Sequence, residues 1–137
     1  MNRAELERNA QLTEFVVRDL NRDPTLPYKD AAFDAITNAV SVDYLNKPLE
    51  VFRELRRIAR PGALVVMSFS NRMFFHKAIR RWVASTEHQR LLLCASYFHF
   101  AGFERIRAER IDAGGGDPMY VVFGYAPGGD PGRGAEL

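Results

Sequence analysis

Apolar positions fall along the chain in short blocks, separated by polar, glycine- and proline-bearing stretches. Residues 15–20, FVVRDL, open with aromatic and β-branched side chains and run into Asn21, a turn former, which predicts a short strand. Residues 21–32 carry Pro24 and Pro27 and read as a loop, and residues 33–40, FDAITNAV, predict a second strand. Residues 48–60, PLEVFRELRRIAR, predict a helix: Pro48 suits the first helical position, and Leu49, Phe52, Leu55 and Ala59 give one apolar side. Arg53, Arg56, Arg57 and Arg60 make the polar side, and Pro61-Gly62 is the expected stop. The unbroken apolar run 63–69, ALVVMSF, is what a strand buried on both faces looks like. Helices are expected over 73–84 and 86–101, the second capped by Gly102. Residues 103–111, FERIRAERI, alternate apolar and charged and predict a strand, as do residues 118–125, PMYVVFGY. The short glycine-rich join between these two favours an antiparallel pair.

The order of elements is therefore β-β-α-β-α-α-β-β. A strand–helix–strand unit over 33–69 needs a right-handed crossover and a parallel pair, so the fold class is α/β, a sheet with an antiparallel C-terminal edge. A length of 137 residues makes one domain, expected over 1–126, with the Gly/Pro-rich stretch 127–137 as a disordered tail. A content of 47% hydrophobic and 26% charged residues excludes a disordered, collagen-like or disulfide-built chain. The single cysteine, Cys94, excludes an intrachain disulfide and a cysteine-based zinc site, and reads as a small buried apolar residue. The polar N-terminus shows no signal-like apolar segment, and no apolar run is long enough for a membrane span. The expectation is a soluble intracellular protein, cytoplasmic by default, with no metal and no membrane partner. A net charge of +2 does not call for nucleic acid. The arginines of 53–60, with Arg72, Lys77, Arg80 and Arg81, read as solvated faces that pair with Glu50 and Glu54.

A further pattern runs across these elements. Leu26-Pro27-Tyr28, then Asp30, then Phe33-Asp34-Ala35-Ile36, then PLEVFRELRRIARPGALVVMSFSN resembles the class I S-adenosylmethionine-dependent methyltransferases, specifically the type 11 methyltransferase domain. The resemblance covers roughly residues 12–125. It implies a Rossmann-like sheet in the family order 3-2-1-4-5-7-6, with 15–20, 33–40, 63–69, 103–111 and 118–125 as its strands 3 to 7. The family's glycine-rich cofactor turn follows its first strand, and a ribose-binding acid ends its second. No counterpart of either stands ahead of residue 15, so a partial, truncated domain is expected. The glycines at 114–116 lie between late strands, lead into no helix, and read as a plain loop.

The resemblance also implies roles. Asp19 and Leu20 would flank the adenine of S-adenosylmethionine, through the Asp19 carboxylate and the Leu20 amide, and Asn38 and Ala39 would lie near its methionine part. Asp43, Tyr44 and His76 are candidates to face a small-molecule substrate. A helix cap and packed rings are the plainer account of those three. An edge strand at 33–40 left without its neighbour would offer a surface for self-association. The expected function is therefore methyl transfer to a small molecule, impaired in the isolated chain. The alternatives are a non-catalytic interaction module and a truncated gene product.

Overall fold

The computed structural model describes residues 3–74, 76–112, 114 and 116–128. Most of the expected tail, 129–137, lies outside them. After a first helix, α1 (Arg3–Arg8), come β1 (Phe33–Ala39), a 3₁₀ turn (Val42–Tyr44), α2 (Pro48–Ile58) and β2 (Ala59–Ser70). The short α3 (Arg80–Val83), α4 (Glu87–Phe100), β3 (Glu104–Ile111) and β4 (Met119–Tyr125) complete the order. The sheet runs β1-β2-β4-β3, with β1 parallel to β2 and the other pairs antiparallel. This is the expected α/β class, and the strand order reproduces the 4-5-7-6 part of the Rossmann-like order above.

The sheet's buried face is built by alternation. Val65, Met67 and Phe69 point inward from β2, and Tyr120 and Val122 from β4. The helices α2 and α4 cover them: Phe52 meets Phe98 edge-on at 5.0 Å and Tyr97 at 5.5 Å. Trp82 closes the far end at 5.0 Å from Phe69, which stacks on Tyr120 at 5.5 Å. Cys94 is wholly buried in this core, and burial pushes its thiol pKa up. Helix α4 starts with a capping box: the Gln89 amide donates to Thr86 Oγ1 at 3.3 Å and the Thr86 amide to Gln89 Oε1 at 2.8 Å. It ends at Gly102, whose φ of 84° makes the left-handed turn expected of it.

Four expectations need correction. Residues 15–20 form no strand. Arg18 turns back to Asp23 at 2.6 Å and to the Thr25 carbonyl at 3.0 Å, and no neighbouring strand among the described residues completes a ladder. Residues 73, 74 and 76–79 are not helix: the Lys77 and Ala78 amides close a turn on the Phe74 carbonyl, at 2.8 and 3.0 Å, while two flanking amides go to distant partners. The Phe74 amide donates to the Tyr44 hydroxyl at 3.1 Å and the Ile79 amide to the Asp43 carbonyl at 3.0 Å. The buried face of α2 is Val51, Phe52, Leu55 and Ile58, while Leu49 is half-buried and Ala59 already belongs to β2. Pro61-Gly62 lies inside β2: Ala59 pairs with Phe33 but Leu64 with Ala35, so the residues between bulge out, helped by Gly62 at φ 79°.

Candidate functional site

β1 and β2 end side by side, and their carboxyl ends open into a cleft of about 680 Å³. Open parallel sheets place their ligands at this end. Its walls come from the segments that leave the two strands: Val40, Asp43 and Tyr44 after β1, and Phe69 to Phe74 along the end of β2. Asp117, from the join between β3 and β4, reaches its mouth and pairs with Arg72. Val40 is a β-branched residue at φ 45°, a strained conformation held by its amide's 2.8 Å bond to the Ser68 carbonyl.

Asp43 is the one buried charged residue among those described, 4% exposed. Burial raises its pKa, against the pull of its own backbone amide, the Tyr44 hydroxyl and, more distantly, Arg90. Tyr44 is raised too, first by burial and then by the Asp43 charge, while the Phe74 amide on its oxygen acts the other way. Two buried oxygens of the cleft-lining residues, Asp43 Oδ1 and Asn71 Oδ1, have no hydrogen-bond donor.

The 3₁₀ turn thus places Asp43 and Tyr44 in the cleft. Asn38 and Ala39 sit at the carboxyl end of β1, just before Val40; the Asn38 amide oxygen accepts from Ser41 Oγ at 3.1 Å. Asp19 and Leu20 form a turn in which Asp19 Oδ1 accepts from the Asn21 amide at 3.0 Å. Asn21 then ties that turn to the cleft wall: its Nδ2 donates to the Tyr44 carbonyl at 2.9 Å, and its Oδ1 accepts from the Asn46 amide at 2.7 Å. His76 is exposed on the turn that follows Phe74, outside the cleft lining, with its ring 6.0 Å from that of Phe74. Asn21, Asn71 and Asp117 went unnoticed in the sequence. Asn71 had a readable signal, its place directly after a buried strand, whereas Asn21 read only as a turn former.

Residues 1–67 match the sequence profile of the family described as "Methyltransferase domain". A ubiquinone/menaquinone biosynthesis C-methyltransferase from Ruegeria sp. (strain TM1040) is 35% identical over 69 residues, 50% of this chain and 26% of that protein. A malonyl-[acyl-carrier protein] O-methyltransferase from Marinomonas sp. (strain MWYL1) is 34% identical over 56 residues, 41% of this chain and 20% of that protein. Among solved structures, an S-adenosylmethionine-dependent methyltransferase from Aquifex aeolicus superposes with a TM-score of 0.56 at 22% identity, over 82% of this chain and 54% of that one. The chain thus spans about a quarter of these curated relatives and about half of the Aquifex chain. Together these likenesses support a class I S-adenosylmethionine-dependent methyltransferase domain, matched in sequence over residues 1–67 and in fold over most of the chain. S-adenosylmethionine is that family's cofactor.

The described residues fit one end of this cofactor. Asp19 keeps a carboxylate oxygen exposed to solvent, and the Leu20 amide has no partner among the described residues, which suits an adenine edge. Among the described residues no strand–glycine turn–helix unit precedes β1. No cluster of three or more His, Cys, Asp or Glu that could hold a metal occurs among the described residues, and none of their helices is long and apolar enough to cross a membrane.

Proposed function

We propose that this chain forms the substrate-side part of a methyltransferase acting on a small molecule, and that the described residues alone hold the cofactor weakly. The observation that carries this is the cleft: about 680 Å³, largely apolar, at the carboxyl ends of β1 and β2, with Asp43, Tyr44 and Asn71 as its polar points. Small-molecule sites are concave and apolar with a few placed polar groups, and most hold ~300–1,000 Å³. When bound, S-adenosylmethionine supplies an electrophilic methyl group on sulfur. The protein's part is alignment and exclusion of water. Phe69 and Met73 line the cleft with apolar surface, and Tyr44, its oxygen fixed by the Phe74 amide, sets the orientation of the Asp43 carboxyl. The names of the two curated relatives support a small or carried acyl substrate. One is a C- and the other an O-methyltransferase, so the atom that receives the methyl group is not inherited from them.

Titration calorimetry with S-adenosylhomocysteine tests the reading. Binding of order millimolar, about 4 kcal/mol, that is lost in Asp19→Ala is the expected result. No heat at any accessible concentration would sink it.

A second reading has its own observation. β1 is an end strand, bonded to β2 on one side only, and its outer residues Ala35, Thr37 and Ala39 are exposed. An open edge of this kind adds strands from other chains. We propose self-association through residues 33–40 at high concentration. Sedimentation should show dimers that Thr37→Lys reduces; an unchanged monomer at every concentration would refute it.

A further inference from the structure

We infer that the cleft selects a molecule with an ammonium head on an apolar body, gripped by Asp43 and Asn71; this rests on reading the cleft as the substrate site. Nearly all buried polar atoms in folded proteins have partners. Here two that do not, Asp43 Oδ1 and Asn71 Oδ1, belong to residues lining one cleft. Both are oxygens that can only accept. The nearby donors do not reach these two oxygens: the Phe74 amide goes to the Tyr44 hydroxyl, Arg72 pairs with Asp117, and Arg90, whose charge acts on Asp43 only at a distance, turns its Nε to the Trp82 carbonyl at 3.0 Å. Asp43 has no ion pair among the described residues, and an unpaired buried carboxylate is costly. The missing complement is therefore a positive charge with at least two protons to donate. A hydroxyl brings one proton and no charge, and a carboxylate head would be repelled. The remaining lining, Val40, Phe69, Met73 and Phe74 with the Tyr44 ring, suits an apolar body.

The test uses the full chain, labelled with ¹⁵N, and three probes of one shape: 2-phenylethylamine, 2-phenylethanol and 3-phenylpropionate. The amine should shift the amides of Val40, Asp43, Asn71 and Phe74 and bind about tenfold more tightly than the alcohol, as charge-assisted hydrogen bonds predict. The propionate should bind more weakly still. Asp43→Asn should erase the preference for amine over alcohol. Should that variant fail to fold, Asn71→Leu carries the test, with an expected loss of about fivefold in amine affinity and no change in urea midpoint. Equal or tighter binding of the alcohol or propionate, shifts away from the cleft, or amine affinity untouched by Asn71→Leu would overturn the inference. So would S-adenosylhomocysteine displacing the amine from Asp43 and Asn71, which would give those residues to the cofactor. In the same tube, the amides of Asp19 and Leu20 report on the methyltransferase reading separately. Silence there beside a clear amine preference would remove that reading and keep the ammonium site.

Discussion

The Asn21 side chain is the bridge that ties the turn at residues 19–21 to the cleft wall, and its removal has a calculable effect. Asn21→Ala deletes two hydrogen bonds, the partly buried one to the Tyr44 carbonyl at 2.9 Å and the exposed one from the Asn46 amide at 2.7 Å. A net contribution of about 0.5–1.5 kcal/mol per bond, with the exposed one at the low end, gives a loss of about 1–2 kcal/mol. The side chain joins segments 25 residues apart, so most of the loss should appear locally. The Asn46 amide should lose roughly tenfold in hydrogen-exchange protection, the equivalent of about 1.4 kcal/mol. Asp19 and Leu20 should sharpen in NMR relaxation as the turn loosens. Native-state hydrogen exchange read with a urea titration measures both quantities. A global change below ~0.3 kcal/mol with Asn46 protection unaltered would refute the bridge, since surface substitutions without such a role stay within about ±0.5 kcal/mol.

Other perturbations follow from the core and from two of the shifted carboxyls, Glu54 and Asp43. Phe52→Ala empties a fully buried site between Tyr97 and Phe98 and should cost about 3–5 kcal/mol in denaturant unfolding. Phe52→Leu should cost at most about 1.5 kcal/mol. Thr86→Ala removes the α4 capping box and should cost about 1 kcal/mol, with fraying seen first in the amides of Gln89 and Arg90. Arg57 holds Glu54 below its ordinary 4.5, so the stability this gives is present above that pH and lost as pH falls through the folded-state value. Glu54→Gln should therefore be less stable than the parent at neutral pH, with the gap closing below about 4.5. Asp43 has the opposite sign: raised above its ordinary 3.8, it favours the fold below that value and loses that contribution as pH rises through its elevated folded value. Asp43→Asn should flatten that decline, and a pH series of urea midpoints distinguishes the two signs.

The sheet was legible where one periodicity dominates a segment. The continuous apolar run of β2, the alternation of β3 and the Gly102 stop of α4 each depend on neighbours close in sequence. Residues 15–20 have strand composition, but a strand is a paired state, and composition does not show whether a partner is present. Val16 and Val17 consequently remain 38% and 41% exposed. The segment 73–79 has helical composition, yet the Tyr44 hydroxyl and the Asp43 carbonyl, about thirty residues earlier in the chain, take the amides of Phe74 and Ile79. The cleft divides the same way. Asp43 and Tyr44 could be picked out because they follow a strand, whereas Asn21 matters only through contacts that close after folding.

The segment that betrays the family is itself held by a tertiary clamp. Arg57 Nη1 donates to the Tyr28 carbonyl at 2.8 Å and Asp30 Oδ1 at 2.7 Å, and its Nη2 to the Leu26 carbonyl at 3.0 Å and Glu54 Oε2 at 2.8 Å. Glu54 Oε2 in turn accepts from the Leu26 amide at 2.9 Å. The Leu-Pro-aromatic-x-Asp stretch and the acidic–basic face of α2 are therefore two halves of one fastening, which straps the chain across the helix before β1 begins. Arginine's planar fork suits this, because several carbonyl and carboxylate oxygens must be met at once. None of these residues lines the cleft. The residues that identify the family are the ones that assemble the fold, and the residues that would choose a substrate, Asp43 and Asn71, lie outside that fastening. The fastening and the cleft lining share no residue, so on the reading of the cleft proposed above, substitution at Asn71 should change what is bound without loosening the strap that Arg57 holds.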